Sequence, residues 1–138
     1  MNIAIIVGAF PAPSETFILN QITGLMDSGH AVDILALWRP GNGGAVHKAV
    51  YDYRLLERTK YFDIPEERWE RLGRGCFYIL KNLFRNPVVV LKCLDLKKYS
   101  LYEAINNLFK AEPFLLKKYD VVHCHFGPFA RGFMFLKD

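Results

Sequence analysis

The chain has 138 residues, 51% of them hydrophobic and 23% charged, a composition that excludes a disordered segment and fits one globular domain. Its net charge of +4 suits anionic ligands or lipid surfaces but is too small to indicate nucleic acid binding by itself. Its three cysteines are widely spaced, which predicts free thiols and a cytosolic compartment instead of a disulfide framework.

The first forty residues predict a β-α-β unit. Residues 3–7 are continuously apolar, as in a strand that is buried on both faces of a parallel sheet, and Gly8 is expected to end that strand. Ser14 is a suitable N-cap for an amphipathic helix over residues 15–28. Residues 32–38 predict a second strand, and a right-handed crossover would place both strands in one parallel sheet.

The rest of the chain predicts several helices and a final strand. A short strand is expected at residues 48–53 and a helix start at residues 63–66. Apolar residues recur at helical spacing from there to about residue 112, and Pro113 is expected to end the helices. With a last strand at residues 119–126, the order predicts an α/β fold, a Rossmann-like open parallel sheet flanked by helices.

Two loops leave the carboxyl ends of the predicted strands, where ligands of open α/β sheets bind. Gly8 opens the first loop, and Ser14 and Glu15 follow it at a helix start whose N–H groups could hold a phosphate. The alternative is a turn that only caps the helix, with Glu15 complementing the helix dipole. A dinucleotide site is disfavoured because the chain lacks the glycine pattern of such sites.

The last predicted strand carries the sequence His123-Cys124-His125. On a strand the two histidines point to one face and the cysteine to the other, so the three side chains cannot share one metal ion, and no metal site is expected. His123 lies further from the carboxyl end of the strand and is expected to be a buried core residue. His125 adjoins the turn at Gly127, where an imidazole could donate to a developing negative charge or bind a sugar hydroxyl.

Residues 68–98 mix apolar side chains with an excess of basic ones. A basic amphipathic stretch suits an anionic membrane surface. The alternative is a pair of helices whose solvated cationic groups lie above an apolar core face. If the membrane interpretation holds, the expected contacts are Arg71, Arg74, Lys81 and Arg85.

Three sequence blocks carry a resemblance to a known family: residues 2–11, residues 14–18 and residues 119–127. Together they resemble the N-terminal half of a retaining GT-B glycosyltransferase, in the subgroup of bacterial exopolysaccharide and colanic acid assembly. The resemblance implies two Rossmann-like domains, of which the first binds the acceptor and the second the nucleotide-sugar. Residues 1–138 would then form a single acceptor-side domain, without the nucleotide-sugar domain, and the chain alone is expected to be inactive.

The resemblance implies transfer of a hexose from a nucleotide-diphosphate sugar to a saccharide acceptor, lipid-linked in this interpretation, at the inner face of the cell membrane and without a cofactor. His125 would contact the transferred sugar as the catalytic residue, and the Gly8 loop would lie against the donor phosphate and sugar. Ser14 and Glu15 would border the acceptor, and Gly127 would complete the substrate-binding set. The alternative is a non-catalytic α/β module that binds a phosphorylated metabolite or acts as a membrane-associated partner protein.

Overall fold

The computed structural model describes residues 1–12, 16–41, 46–84 and 86–137. The chain divides into two compact units, each described by itself below. The sheet unit comprises Met1–Phe62 and Tyr119–Ala130, and the helical unit comprises Asp63–Lys118 and Arg131–Asp138. No helix within the described ranges is long and apolar enough to cross a membrane.

The sheet unit contains four parallel strands in the order β3-β2-β1-β4. They are β1 (Asn2–Ala9), β2 (Ala31–Trp38), β3 (Thr59–Tyr61) and β4 (Val121–Cys124). The continuous apolar runs of β1 and β2 belong to the two central strands, where both faces are covered. The predicted α/β fold with an open parallel sheet flanked by helices is confirmed.

Helices α1 (Thr16–Asp27) and α2 (Lys48–Asp52) complete the sheet unit. Helix α1 buries Ile18, Leu19 and Ile22 in the same core as the inward side chains of β1 and β2. It confirms the predicted helix, although the suggested N-cap Ser14 and its neighbour Glu15 lie outside the described residues.

The short strand predicted at residues 48–53 is wrong, because this segment forms the helix α2. His47 caps the helix, since its Nδ1 accepts a hydrogen bond of 3.2 Å from the backbone N–H of Ala49. One turn of helix brings Val50 into the core, and a missed strand, β3, follows.

The helical unit contains α3 (Arg68–Leu83), α4 (Pro87–Cys93) and α5 (Leu101–Leu116). The predicted helix start at residues 63–66 is wrong, because α3 begins later. Pro113 does not end α5 but is buried within it. The start of α5 is fixed by a capping box, in which Ser100 and Glu103 satisfy each other's backbone N–H groups.

Helix α3 turns its small and polar side inward. Its buried residues are Arg71, Gly75 and Asn82, and a Cβ atom on Gly75 would lie 3.1 Å from Cγ2 of Ile105 in α5. Glycine therefore permits the close approach of these two helices. Three apolar residues at helical spacing are exposed instead: Phe77 and Leu80 in α3, and Phe84 directly after it.

Candidate functional site

The carboxyl ends of β1, β2 and β4 meet at one edge of the sheet unit. Ala9 pairs with Trp38 at the ends of β1 and β2, and Ile6 pairs with Cys124 at the end of β4. His125 follows directly, and its backbone N–H donates a 2.8 Å hydrogen bond to the Ile6 carbonyl. This edge is where ligands of open parallel sheets bind, and of the residues proposed from the sequence it carries Gly8, His125 and Gly127.

Five aromatic side chains converge at this edge and are called the aromatic cluster. Phe17 lies in the first turn of α1, Trp38 ends β2, and the others follow β4. The ring centroids of Phe17 and Phe126 are 6.2 Å apart, and those of Trp38 and Phe129 are 5.7 Å apart, both with edge-to-face geometry. The cluster comprises Phe17, Trp38, His125, Phe126 and Phe129.

Gly8 lies inside β1 and is buried, so the expectation that it ends the strand is wrong. A Cβ atom at this position would lie 3.1 Å from Cζ2 of Trp38 and 3.1 Å from Cε2 of Phe129. Because glycine has no side chain, two aromatic rings can pack directly against its backbone. A phosphate at the Gly8 backbone would have to displace these rings.

The two histidines have the opposite burial from that expected. His125 is only 8% exposed, whereas His123 is exposed. The physical reason is the sheet order, which makes β4 an edge strand that leaves its His123 side chain open. The His125 ring instead lies 5.8 Å from the Phe17 ring and 4.7 Å from the His123 ring.

His125 is a buried imidazole with an unused hydrogen-bonding atom. Its Nε2 is inaccessible to solvent and has no partner among the described residues. Burial, and then the nearby His123, lowers the pKa of His125, so its ring is neutral at pH 7. A neutral imidazole offers one donor and one acceptor, which suits a hydroxyl group better than a charged phosphate.

The turn after β4 has an unusual backbone. Phe126 has a φ of +75°, a left-handed conformation that is an outlier for a bulky residue. Gly127 is exposed, starts the short helix α6 (Gly127–Arg131) and has open space where a Cβ atom would lie. Of the predicted substrate-binding residues, Gly8 and Gly127 lie at this edge, and Ser14 and Glu15 lie outside the described residues.

The structure separates the basic residues that were grouped as membrane contacts. Arg71 is 9% exposed, and its guanidinium donates to the carbonyls of Pro65 at 2.7 Å and Glu66 at 3.0 Å. Its charge therefore faces the protein interior, contrary to the prediction of a surface contact. Hydrogen bonds with Asn106 and Arg71 lower the pKa of Tyr102, over whose ring the guanidinium lies.

Arg74 is also engaged within the helical unit. It pairs with Asp63 at 3.1 Å and with Glu70 at 3.4 Å, and these hydrogen bonds raise its pKa. Lys81 is exposed, and Arg85 lies outside the described residues. Three of the predicted basic contacts lie among the described residues. Of these three, Lys81 is the one that is exposed and available to contact a surface.

Sequence reasoning missed a groove of about 890 Å³ in the helical unit. It lies between the first turns of α3 and α5, where side chains spaced by one helical turn line both walls. That spacing was the available signal. The lining residues are Glu66, Arg68, Trp69, Arg71, Leu72, Leu101, Tyr102 and Ile105.

The metal-ligating side chains and the cysteines lie scattered through the described parts of the chain. These parts contain no group of three or more His, Cys, Asp or Glu residues that could hold a metal ion. Cys76, Cys93 and Cys124 are free, and burial raises the pKa of the Cys93 thiol to about 12. A thiol with so high a pKa is protonated at neutral pH and is a poor nucleophile.

The chain is similar to named proteins across most of its length. It is 34% identical over 135 residues to proteins named as the colanic acid biosynthesis glycosyltransferase WcaL in Salmonella typhimurium and Escherichia coli. The match covers 93% of this chain but 32% of each relative, so the chain spans about a third of their length. A 68-residue stretch, 49% of this chain and 16% of the relative, is 37% identical to the amylovoran biosynthesis glycosyltransferase AmsK of Erwinia amylovora.

No protein-family model and no solved structure matches the chain. The relationship therefore rests on sequence similarity to whole proteins, which extends over both the sheet unit and the helical unit. The chain is a homologue, over about a third of their length, of proteins named as glycosyltransferases of colanic acid biosynthesis.

Proposed function

We propose that the chain is the acceptor-side part of a glycosyltransferase of polysaccharide biosynthesis. The complete enzyme would transfer a hexose from a nucleotide-diphosphate sugar to a lipid-linked saccharide, with retention of configuration. The observation that carries this proposal is the 34% identity to named glycosyltransferases over 93% of the chain. The donor would be held mainly by a second domain. The proposed transfer uses no cofactor.

In this proposal His125 contacts the transferred sugar. Its support is the position of His125 at the carboxyl edge of β4 and the unpartnered, neutral Nε2, which can exchange a hydrogen bond with a sugar hydroxyl. Phe17 is half-exposed, and its ring centroid lies 5.8 Å from that of the imidazole, so Phe17 would flank a sugar that contacts His125.

The remaining proposed contacts follow the family resemblance. The loop that follows Gly8 would lie near the donor phosphate, beyond the Trp38 and Phe129 rings that cover the Gly8 backbone, and Gly127 would line the same edge. Ser14 and Glu15, just before α1, would border the acceptor.

A chimera tests this function directly. Residues 1–138 replace the matched stretch of the Escherichia coli relative, and hexose transfer to its acceptor is measured. We expect transfer by the chimera and none by residues 1–138 alone, because the matched stretch is about a third of the relative. A chimera that folds, as judged by a cooperative thermal transition, yet transfers no sugar would overturn the proposal.

We also propose that the helical unit contacts an anionic membrane surface. It carries thirteen Lys and Arg against eight Asp and Glu, whereas the sheet unit carries five against six. The charge is therefore concentrated in the unit whose α3 exposes an apolar face. The contacts would be the exposed Arg68 and Lys81 beside Trp69, Phe77 and Leu80, and not the inward-facing Arg71.

A further inference from the structure

We propose that Phe17, Trp38 and Phe126 form an aromatic surface for the saccharide acceptor, on which each ring can contact a different pyranose unit. The identification of the occupant as an acceptor sugar rests on the proposed function. The surface itself lies within the sheet unit, at the edge where the strands end.

The first argument is the exposure of the three rings. Each is about half-exposed, although a large aromatic side chain gains most when it is fully buried. They come from three separate segments, the start of α1, the end of β2 and the turn after β4. Phe129 links them, with its centroid 5.7 Å from Trp38 and 6.2 Å from Phe126. The exposed rings thus form one connected surface.

The second argument is the backbone of Phe126. A φ of +75° is unfavourable for a bulky side chain, and glycine would adopt it without strain. Such outliers persist where the surrounding structure holds them, and they concentrate at ligand sites. Here the Phe126 ring is half-exposed instead of buried, so the free energy gained by packing this ring does little to offset the backbone strain.

The third argument concerns the chemistry of the occupant. The face of an aromatic ring is electron-rich and attracts the polarised C–H groups of a pyranose, while hydroxyl groups need hydrogen-bond partners at the rim. His125, whose buried and unpartnered Nε2 is assigned above to the transferred sugar, adjoins Phe17 in the same cluster, so a sugar stacked on these rings would lie beside the sugar that is transferred. The sheet unit carries no excess of basic residues, so an uncharged polyhydroxylated ligand fits it better than a phosphate does.

The test uses the 138-residue chain and saturation-transfer NMR with three probes: methyl β-glucopyranoside, methyl β-galactopyranoside and lactose. Saturation of the aromatic protons should pass to the C–H protons of at least one of these sugars. Phe126→Leu and Trp38→Leu should each weaken binding roughly two- to tenfold, the scale of one aromatic contact. Phe126→Tyr should keep the affinity, and so should the control Tyr51→Leu, an exposed ring elsewhere in the sheet unit.

A glycine variant separates ligand binding from packing. Phe126→Gly should weaken sugar binding as much as Phe126→Leu does, while its melting temperature stays above that of Phe126→Leu because the left-handed backbone is relieved. If none of the three sugars receives NMR saturation from the protein, or if the wild-type chain and Phe126→Leu bind sugar equally well, the proposed aromatic surface is overturned. Sugar transfer by the chimera without such binding would refute this inference alone, whereas sugar binding without transfer by the chimera would refute the proposed function.

Discussion

At the scale of single residues, His125 and Gly8 at the sheet edge each have a specific physical environment. His125 is neutral and enclosed, with the rings of Phe17 and His123 beside it. Gly8 lies beneath Trp38 and Phe129, so its lack of a side chain serves packing. Both residues lie at the edge where the strands end, but each has a role that residue type alone did not reveal.

The lowered pKa of His125 predicts that stability depends on pH. The unfolded chain binds a proton near pH 6.5, whereas the folded chain binds it only at lower pH, so acid favours unfolding. The stability that neutral His125 contributes is fully present above pH ~6.5 and is lost as the pH falls below that value. Urea unfolding at pH 7 and pH 5.5 should show a smaller acid-induced loss for His125→Gln than for the wild-type chain.

His30→Gln is the matched control for this measurement, because it removes a histidine directly before β2, at the opposite end of that strand from Trp38. It should lose stability with acid as the wild-type chain does. Equal acid-induced losses in His125→Gln and the wild-type chain would show that His125 titrates normally.

Gly8→Ala should destabilise the chain by roughly 1–3 kcal/mol, because its Cβ atom would lie 3.1 Å from two aromatic rings, which would have to shift. The control is Gly24→Ala in α1, where nothing lies within 4 Å of the added atom. It should stabilise the chain by roughly 0.5–1 kcal/mol, as alanine does in a helix. Chemical denaturation measures both, and a neutral Gly8→Ala would contradict the close packing at β1.

At the scale of elements, the sequence predicted the type of several helices and strands correctly, but not which side of a helix faces the protein interior. The apolar runs identified β1, α1 and β2, because an uninterrupted run and a 3.6-residue repeat have distinct signatures. The repeat in α3 identified a helix but not which side faces inward, since Gly75 and Arg71 are buried while Phe77 is exposed. The environment of Arg71 and of His125 depends on tertiary contacts, which no local pattern encodes.

The capping box of α5 gives a prediction at this scale. Ser100→Ala should cost roughly 0.5–2 kcal/mol, because the backbone N–H of Glu103 loses its partner at 3.3 Å. Thr23→Ala in α1 is the control, since Thr23 lies inside the helix and its hydroxyl donates a hydrogen bond to the Asn20 carbonyl. The free energies of unfolding compare the two variants, and equal values would argue against the capping box.

The outward face of α3 predicts binding to anionic vesicles that exceeds binding to neutral ones and weakens with added salt. Replacing Arg68 and Lys81 by Gln should reduce binding by roughly 1 kcal/mol per charge. Phe77→Ser should also weaken it. Arg71→Gln should lower the melting temperature and leave vesicle affinity unchanged, because Arg71 donates to two backbone carbonyls.

Vesicle sedimentation provides the measurement. Tyr51→Ser, a change of an exposed ring in the sheet unit, is the control and should bind as the wild-type chain does. Equal binding to neutral and anionic vesicles would favour the alternative of solvated cations above a helix face.

At the scale of the whole molecule, the chain combines a parallel sheet unit with a basic helical unit. The α/β class was predictable because strand and helix patterns alternate along the sequence. The basic excess of residues 68–98 was visible in the sequence, whereas its concentration in one compact unit follows from which segments fold together. This division of charge is consistent with the proposal that the sheet unit binds sugars and the helical unit contacts a lipid surface.

The central claim is that His125 acts on the sugar during transfer, and single variants in the chimera test it most directly. His125→Ala should lower kcat/KM by roughly 10²-fold or more, the scale of a lost transition-state contact. His123→Ala, an exposed position, should keep both its activity and its melting temperature. Near-full transfer by a folded His125→Ala chimera, with transfer lost in His123→Ala, would contradict the account.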